Sequence, residues 1–159
     1  MTGAGKIEHV SILWAGTDRA DELALLHAPL FPAGWNAAAF RQLLDHPGST
    51  AFIARAGEPL ETTGFVVGRL IADEAEILTL GVREAWQRRG IGRRLVEAFC
   101  RAAAKAEARR LYLEVAADNA TALRLYQRLG FAESGRRKAY YERPGMPSED
   151  AIILSLALL

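Results

Sequence analysis

The spacing of apolar and polar residues predicts one strand and two short helices in the first third of the chain, at 7–13, 20–28 and 37–45. Thr17 and Asp18 are typical N-cap residues and are expected to start the first of these helices, which ends before Pro29. Asn36 is expected to cap the second helix, which stops before a Pro-Gly pair.

The middle of the chain predicts three strands, because runs of β-branched and aromatic residues are separated by short turn-like segments. The runs are TAFIARA, TTGFVVGRLIA and AEILTLGV, at 50–56, 62–72 and 75–82. Connections this short exclude the long crossovers that parallel strands need, so we expect an antiparallel meander.

After Gly92 the apolar spacing becomes that of a helix, which predicts a core-facing stripe about four turns long. Its members are Leu95, Val96, Phe99, Cys100, Ala103 and Ala106. A strand at 110–115 follows, and then a helix that Asp118 or Asn119 is expected to cap and that ends at Gly130. The last two strands are expected at 131–137 and 151–159. A loop is expected between them at 139–150.

The order of these elements predicts an α/β (α+β) fold with a single mixed, mostly antiparallel central sheet of about seven strands flanked by four helices. A chain of 159 residues suits one compact domain, and no repeat or linker divides it. We therefore expect a single domain over residues 1–159.

Composition narrows the class of protein and its partners. Half of the residues are apolar and a quarter are charged, which is typical of a soluble globular protein. The net charge of +1 predicts no direct nucleic-acid partner. No segment resembles a signal peptide or reaches the roughly 20 apolar residues of a membrane helix, so we expect a cytoplasmic protein with no membrane partner. A lone cysteine, Cys100, and three scattered histidines predict neither an internal disulfide nor a metal site.

Residues 87–94 read QRRGIGRR and lie between the third strand of the meander and the long helix. The first turn of a helix presents N–H groups without internal partners, and glycines let an anion approach the backbone closely. With four arginines nearby, the segment predicts a phosphate or pyrophosphate site, and a solvated turn with surface arginines is the alternative. It lacks the lysine and hydroxyl residue of a P-loop, and Leu95 stands where a dinucleotide fingerprint has its third glycine.

The six residues from Gln87 to Gly92 match the Q/R-x-x-G-x-G/A signature of the GCN5-related N-acetyltransferase (GNAT) superfamily. The segment NATALRLYQRLGF at 119–131 follows in register, and the chain resembles the superfamily over nearly its whole length. The resemblance implies acetyl-CoA as co-substrate, direct transfer of acetyl to an amine, and no metal. It implies that the coenzyme is bound by Leu80, Gly81, Val82, Arg88, Arg89, Gly90, Ile91, Gly92, Arg93 and Asn119.

Glu114 is the candidate general base. It shares one face of the predicted strand with Tyr112, opposite three apolar side chains, so it lies either at a solvent-facing sheet edge or in a cleft. The resemblance implies that Glu114 accepts the proton of the acceptor amine.

Three tyrosines and one tryptophan complete the candidate site. Tyr126 lies on an apolar helix stripe, where a tyrosine is usually a core residue, but the resemblance implies that it is the acid that protonates the departing thiolate. The resemblance also implies that Tyr140 and Tyr141 line the acceptor groove. Trp35 is a candidate for the opposite wall, and all three of these aromatic residues could instead serve packing.

Within the superfamily, the similarity is to bacterial enzymes that acetylate the N-terminal alanine of a small-subunit ribosomal protein. This implies an acetyl-CoA-dependent N-terminal acetyltransferase whose partner is that N-terminus. Acetylation of a lysine side chain, a polyamine or another small amine is the alternative, because the two early helices and the 139–150 segment match less closely. A coenzyme A-binding module or a ribosome-binding adaptor is a third reading, which the presence of Glu114 and Tyr126 and the aromatic-free 87–94 segment disfavour.

Overall fold

The computed structural model of the chain describes residues 9–143 and 145–158. Within them, the α-helices are α1 (Ala20–His27), α2 (Ala37–Asp45), α3 (Ile91–Lys105) and α4 (Ala120–Arg128), and Thr17–Arg19 and Glu84–Trp86 form short 3-10 turns. The strands are β1 (Ser11–Trp14), β2 (Ser49–Ala56), β3 (Glu61–Ile71), β4 (Glu74–Val82), β5 (Arg110–Ala116), β6 (Ala132–Arg143) and β7 (Met146–Ala157). The seven strands form one sheet in the order β1-β2-β3-β4-β5-β7-β6.

The sheet is mixed, as the order of elements predicts. β4 pairs with β5 in parallel, with Glu76 opposite Tyr112, and the two are connected through α3. The pairs β1–β2, β5–β7 and β6–β7 are antiparallel. The predicted fold class is therefore confirmed.

By its internal contacts the chain divides into two compact units. Of the described residues, the first unit contains 9–67 and 79–99, and the second contains 68–78, 100–143 and 145–158. In the first unit, α1 and α2 pack their apolar faces on β2 and β3, and the shared core is made of Leu23, Leu26, Phe40, Leu44, Ile53, Phe65 and Val67. In the second unit, alternate residues of β5 are buried, as a strand with one apolar face requires.

Asparagine side chains cap α2 and α4, as the sequence predicts for Asn36 and for one of its two candidates at α4. Asn36 Oδ1 accepts a hydrogen bond from Ala39 N at 2.8 Å, and Asn119 Oδ1 accepts one from Ala122 N at 3.1 Å. The predicted cap of α1 by Thr17 or Asp18 is wrong. Both residues lie in the preceding 3-10 turn, so α1 begins only after Arg19 and has no side-chain cap.

The C-terminus of α4 follows the prediction for Gly130. This residue has φ +97°, a left-handed conformation that glycine adopts at little cost. Gly130 N donates to Gln127 O and Phe131 N donates to Tyr126 O, both at 3.0 Å. This pair of hydrogen bonds is the Schellman pattern that ends a helix.

The loop expected at 139–150 is wrong, because β6 and β7 continue through most of it as a hairpin. Proline, glycine and charged residues predict a loop there, but irregularities in the pairing let the strands continue. The register shifts between Arg137 and Tyr141 and again before Arg143. Ala139, inside the first shift, has φ +51°, and its N–H donates to Asp150 Oδ1 at 2.8 Å.

The remaining boundaries differ by a few residues. The strand expected at 7–13 is observed at Ser11–Trp14, and residues 7 and 8 lie outside the described part of the chain. Ala106 lies beyond α3 and is exposed, so it does not extend the buried stripe. None of the helices in the described residues is long and apolar enough to span a lipid bilayer.

Candidate active site

In the first unit, the segment between β4 and α3 is a short loop closed by its own side chains. Gln87 Nε2 donates to Val82 O at 2.9 Å, so the first residue of the motif returns to the last residue of β4. Gly90 has φ +80°, and a Cβ added there would meet nothing within 4 Å. The backbone at Gly90 is therefore open to a molecule that approaches α3 from outside.

The first turn of α3 offers backbone donors at this opening. The first intrahelical bond runs from Arg94 N to Gly90 O at 3.2 Å, so the N–H groups before it are the ones that the helix geometry leaves without an intrahelical acceptor. Ile91 is only 1% exposed, which means that its side chain belongs to the core. Of the predicted coenzyme ligands, Ile91 can therefore contribute only its backbone.

Three of the four arginines at 87–94 make different contacts, and Arg88 is exposed with φ +65°. The Arg89 guanidinium lies 4.7 Å from the centre of the Trp86 ring, and Arg93 Nε lies 3.6 Å from Glu97 Oε2. Arg94 donates to Val10 O at 3.2 Å. Arg94 therefore helps to hold the fold.

Trp86 anchors the loop by a hydrogen bond and ring contacts, a role that was not predicted from the sequence. Its Nε1 donates to Glu61 Oε1 at 2.9 Å, and Arg83 donates to the same oxygen at 3.1 Å. A Cβ on Gly57 would lie 3.0 Å from the Trp86 ring, so the turn before β3 also packs on it. A tryptophan in an otherwise polar loop, directly before the motif, was the signal available in the sequence.

Gly81 in β4 is required by packing. A Cβ there would lie 2.7 Å from Phe65 Cζ and 2.9 Å from Leu30 Cδ1, which is closer than real Cβ contacts. The close approach that a glycine in a strand suggests is therefore made by the chain itself. Leu80 and Val82 beside it are half-buried, and the coenzyme contacts expected of all three residues stay predictions.

Trp35 belongs to an aromatic cluster around His27, also in the first unit. The His27 ring stacks on Phe31 at 4.1 Å and on Trp35 at 5.2 Å, and Trp35 N donates to His27 Nδ1 at 3.2 Å. Burial lowers the pKa of His27, which keeps the imidazole neutral and able to accept this bond. Trp35 is 36% exposed and lines an open groove of about 660 Å³ beside α1. Its predicted role in acceptor binding stays a prediction.

In the second unit, Glu114 lies on β5 with the alternation that the sequence predicts. Leu113 and Val115 on either side are buried, whereas the Glu114 side chain is 30% exposed. Glu114 is paired with Ile153 of β7 on one side, whereas the pairing of β5 with β4 on the other side ends at Tyr112. Arg137 forms an ion pair with Glu114, with Nε 3.1 Å from Oε1.

Tyr140 and Tyr141 lie next to this ion pair. The Arg137 guanidinium is 5.2 Å from the centre of the Tyr140 ring, and the two tyrosine rings meet edge to face at 5.2 Å. Burial, and then the negative charge of Glu114, raises the pKa of Tyr141. We call Glu114, Arg137, Tyr140 and Tyr141 the Glu114 cluster. Three of its members were expected from the sequence, and Arg137 was not.

Tyr126 lies on α4 and Asn119 is the N-cap residue before it, both in the second unit. Tyr126 is 6% exposed and its ring packs against Phe131 at 5.5 Å. Burial raises the pKa of the Tyr126 phenol, so that it stays protonated and remains a proton donor. The Asn119 side chain caps α4, and its expected contact with the coenzyme stays a prediction.

The described residues hold no group of three or more His, Cys, Asp or Glu side chains that could bind a metal ion. The roles expected of Glu114 as proton acceptor and of Tyr126 as proton donor stay predictions. The anion site expected at the start of α3 also stays a prediction.

Comparison with known proteins gives three consistent results. A model of the acetyltransferase (GNAT) family matches residues 20–131. The ribosomal protein bS18-alanine N-acetyltransferase of Escherichia coli K12 is 38% identical over 94 residues, which are 59% of this chain and 63% of that protein. The N-alpha-acetyltransferase RimI of Mycobacterium tuberculosis is 38% identical over 133 residues, 79% of this chain and 80% of that protein.

The fold is also that of a solved structure. The crystal structure of the ribosomal-protein-S18-alanine N-acetyltransferase from Escherichia coli matches with a TM-score of 0.86 and 27% sequence identity, over 94% of both chains. The sequence match to the Escherichia coli relative spans less than two thirds of its length, whereas the structural match spans nearly all of it.

Proposed function

Since the chain belongs to the acetyltransferase (GNAT) family, as its motif predicts, we propose that it is an acetyl-CoA-dependent N-terminal acetyltransferase. We propose as acceptor the N-terminal alanine of a small-subunit ribosomal protein, which is the acceptor that the name of the Escherichia coli relative gives. The structural observation that carries the proposal is Glu114, a partly exposed carboxylate between two buried residues of β5.

The residues around the start of α3 fit the diphosphate of the coenzyme. The open backbone at Gly90, the N–H groups of the first helical turn and the guanidinium groups nearby all favour an anion. Those that would hold it are Arg88, Arg89, Gly90, Ile91, Gly92 and Arg93, the isoleucine through its backbone alone. Leu80, Gly81, Val82 and Asn119 would hold the pantetheine arm. When bound, acetyl-CoA supplies the acetyl thioester.

The proposed reaction moves two protons. Glu114 accepts a proton from the acceptor amine, directly or through water, as the amine nitrogen bonds to the acetyl carbon. The Val82 N–H stabilises the charge that develops on the carbonyl oxygen. Tyr126 donates its hydroxyl proton to the sulfur as the carbon–sulfur bond breaks. The products are an N-acetylated acceptor and the free thiol of coenzyme A.

An N-terminal acceptor suits a single carboxylate as base. An α-amino group has a pKa of about 7.7–8.0, against about 10.4 for lysine, so a useful fraction of it is already neutral near pH 7. Glu114 then needs to remove only the proton that the attacking amine loses. Trp35, Tyr140 and Tyr141 are proposed to contact the acceptor chain, and a ribosomal acceptor implies a cytoplasmic location.

The test is coenzyme A release with three acceptors near neutral pH. The first is a peptide with a free N-terminal alanine, the second a peptide with a blocked N-terminus and an internal lysine, and the third spermidine. We expect turnover on the first and little on the others. Turnover only on the lysine peptide or on spermidine would keep the donor and refute the proposed acceptor.

A further inference from the structure

Arg137 is paired with the carboxylate of Glu114, which the proposed reaction needs as its base. Its Nε lies 3.1 Å from Glu114 Oε1, which makes the two side chains an ion pair. A protonated acceptor amine is also a cation that binds a carboxylate. Guanidinium and ammonium therefore compete for the same oxygen.

The strand register explains how Arg137 reaches Glu114 from two strands away. Glu114 is paired with Ile153 of β7, which is paired in turn with Gly135 of β6. Arg137 is paired with Ala151, two residues further along. Gly135 and Ala151 carry no long side chains, so the arginine can extend across β7 to the carboxylate.

The irregular hairpin gives the guanidinium a second contact. Asp150 accepts the Ala139 N–H at 2.8 Å and holds that residue at φ +51°, inside the register shift that follows Arg137. The Tyr140 ring then lies 5.2 Å from the Arg137 guanidinium. A guanidinium that leaves Glu114 still has an aromatic face to contact.

The ion pair is exposed enough to exchange. The side chains of Arg137 and Glu114 are 54% and 30% exposed, and pairs of this kind contribute little net stability in water. A cation that brings only its charge gains little by replacing the arginine. An acceptor that also contacts neighbouring residues gains more.

We propose that Arg137 is an internal competitor, whose guanidinium competes with acceptor amines and small cations for Glu114 and so weakens the binding of each of them to the carboxylate. The inference rests on the proposed function. It assigns no proton transfer to Arg137, which acts through Glu114 alone.

The experiment compares steady-state kinetics of the wild type with Arg137→Gln, using the alanine peptide as acceptor and spermidine as inhibitor. We expect the KM for the peptide to fall about threefold and inhibition by spermidine to strengthen about threefold. The KM for acetyl-CoA is expected to stay unchanged. Damage to packing would instead raise the peptide KM or affect both substrates.

Arg136→Gln is the matched control. Arg136 is adjacent, pairs with Asp150 at 3.3 Å, and its loss changes the net charge equally. We expect its peptide KM and spermidine inhibition to remain within about twofold of the wild type. Arg137→Lys keeps the charge on a shorter side chain. Its peptide KM and spermidine inhibition should lie between those of the wild type and of Arg137→Gln. It provides a second variant if the glutamine variant fails to fold.

The outcomes separate this inference from the proposed function. If the wild type acetylates the peptide but Arg137→Gln leaves its KM unchanged or raises it, the inference alone is refuted. Equal effects of the Arg136 and Arg137 variants would also refute it, since they would show a general effect of charge. If the wild type acetylates spermidine and leaves the peptide unmodified, both proposals are wrong.

Discussion

The loop before α3 and the Glu114 cluster are built in different ways. The loop combines contacts between near neighbours in sequence, such as Gln87 with Val82 and Arg89 with Trp86, with the contact of Trp86 to Glu61. The cluster instead joins Glu114 to Arg137 through the register of three strands. A region of the first kind can be recognised from a short motif, whereas the second depends on tertiary pairing.

The difference also bears on the proposed chemistry. Trp86 and Glu61 hold the loop firmly, as a site for an invariant coenzyme requires. Arg137 and Glu114 form an exposed pair that exchanges easily, which suits a varied acceptor. Variants in the two regions should therefore differ in which substrate they affect.

The largest effect is expected from Glu114→Gln. The amide keeps the shape of the side chain but cannot take a proton, so kcat/KM for the alanine peptide should fall by about 100-fold. The remaining rate should rise more steeply with pH, because only amines that are already neutral react. Glu133→Gln is the control, since Glu133 is 52% exposed and lies 3.7 Å from Arg136. Kinetics unchanged from the wild type would remove Glu114 from the mechanism.

Tyr126→Phe should lower kcat by roughly tenfold, because a thiolate leaves with only modest help from an acid. The KM for acetyl-CoA should hardly change. Because burial raises the pKa of Tyr126 above its ordinary value of about 10, the wild type should show no loss of kcat from this group as pH rises to about 10. Tyr112→Phe is the control, and an equal loss of kcat there would contradict the role of Tyr126.

Gly90→Val should raise the KM for acetyl-CoA by about fivefold and leave the peptide KM unchanged. Valine disfavours φ +80°, and its side chain would fill the open space above the first turn of α3. Gly145→Val is matched, because Gly145 has φ +72° and equally open surroundings. If both variants bind acetyl-CoA as the wild type does, the anion site at Gly90 is refuted.

The smallest effect is expected on the free energy of unfolding, through His27 beside Trp35. Burial lowers the pKa of His27, so the unfolded chain binds a proton at this residue more readily than the folded one. The free energy of unfolding should fall as pH decreases below about 6.5, by at most about 1.4 kcal/mol per pH unit from this group. His27→Gln should flatten that slope in denaturant titrations, and His46→Gln should not. Identical slopes in all three proteins would contradict a buried neutral His27.

The fold could be predicted from the sequence wherever an element is defined by the spacing of its own apolar residues. The stripe of α3 and the alternation of β5 define their elements within a few residues, and Asn36 and Asn119 mark helix starts correctly. The segment 139–150 could not be predicted, because its strands depend on pairing across a register shift. Its proline and glycine content indicates a loop in the absence of a partner strand.

In the candidate site, too, features set by local sequence could be predicted and features set by strand pairing could not. The motif predicts the loop around Gly90, and the resemblance that follows from it predicts roles for Glu114 and Tyr126. Arg137 was missed because nothing within a few residues of it indicates a partner on β5. Its contact depends on Gly135 and Ala151 leaving space across β7, a property of the register alone.

The central claim is that this chain acetylates a protein N-terminus. The most direct measurement uses one peptide that carries both a free N-terminal alanine and an internal lysine, incubated with acetyl-CoA and the enzyme near neutral pH. Fragmentation by mass spectrometry then locates the acetyl group. We predict that it lies on the alanine α-nitrogen alone, and acetyl on the lysine Nζ with a free N-terminus would contradict the account.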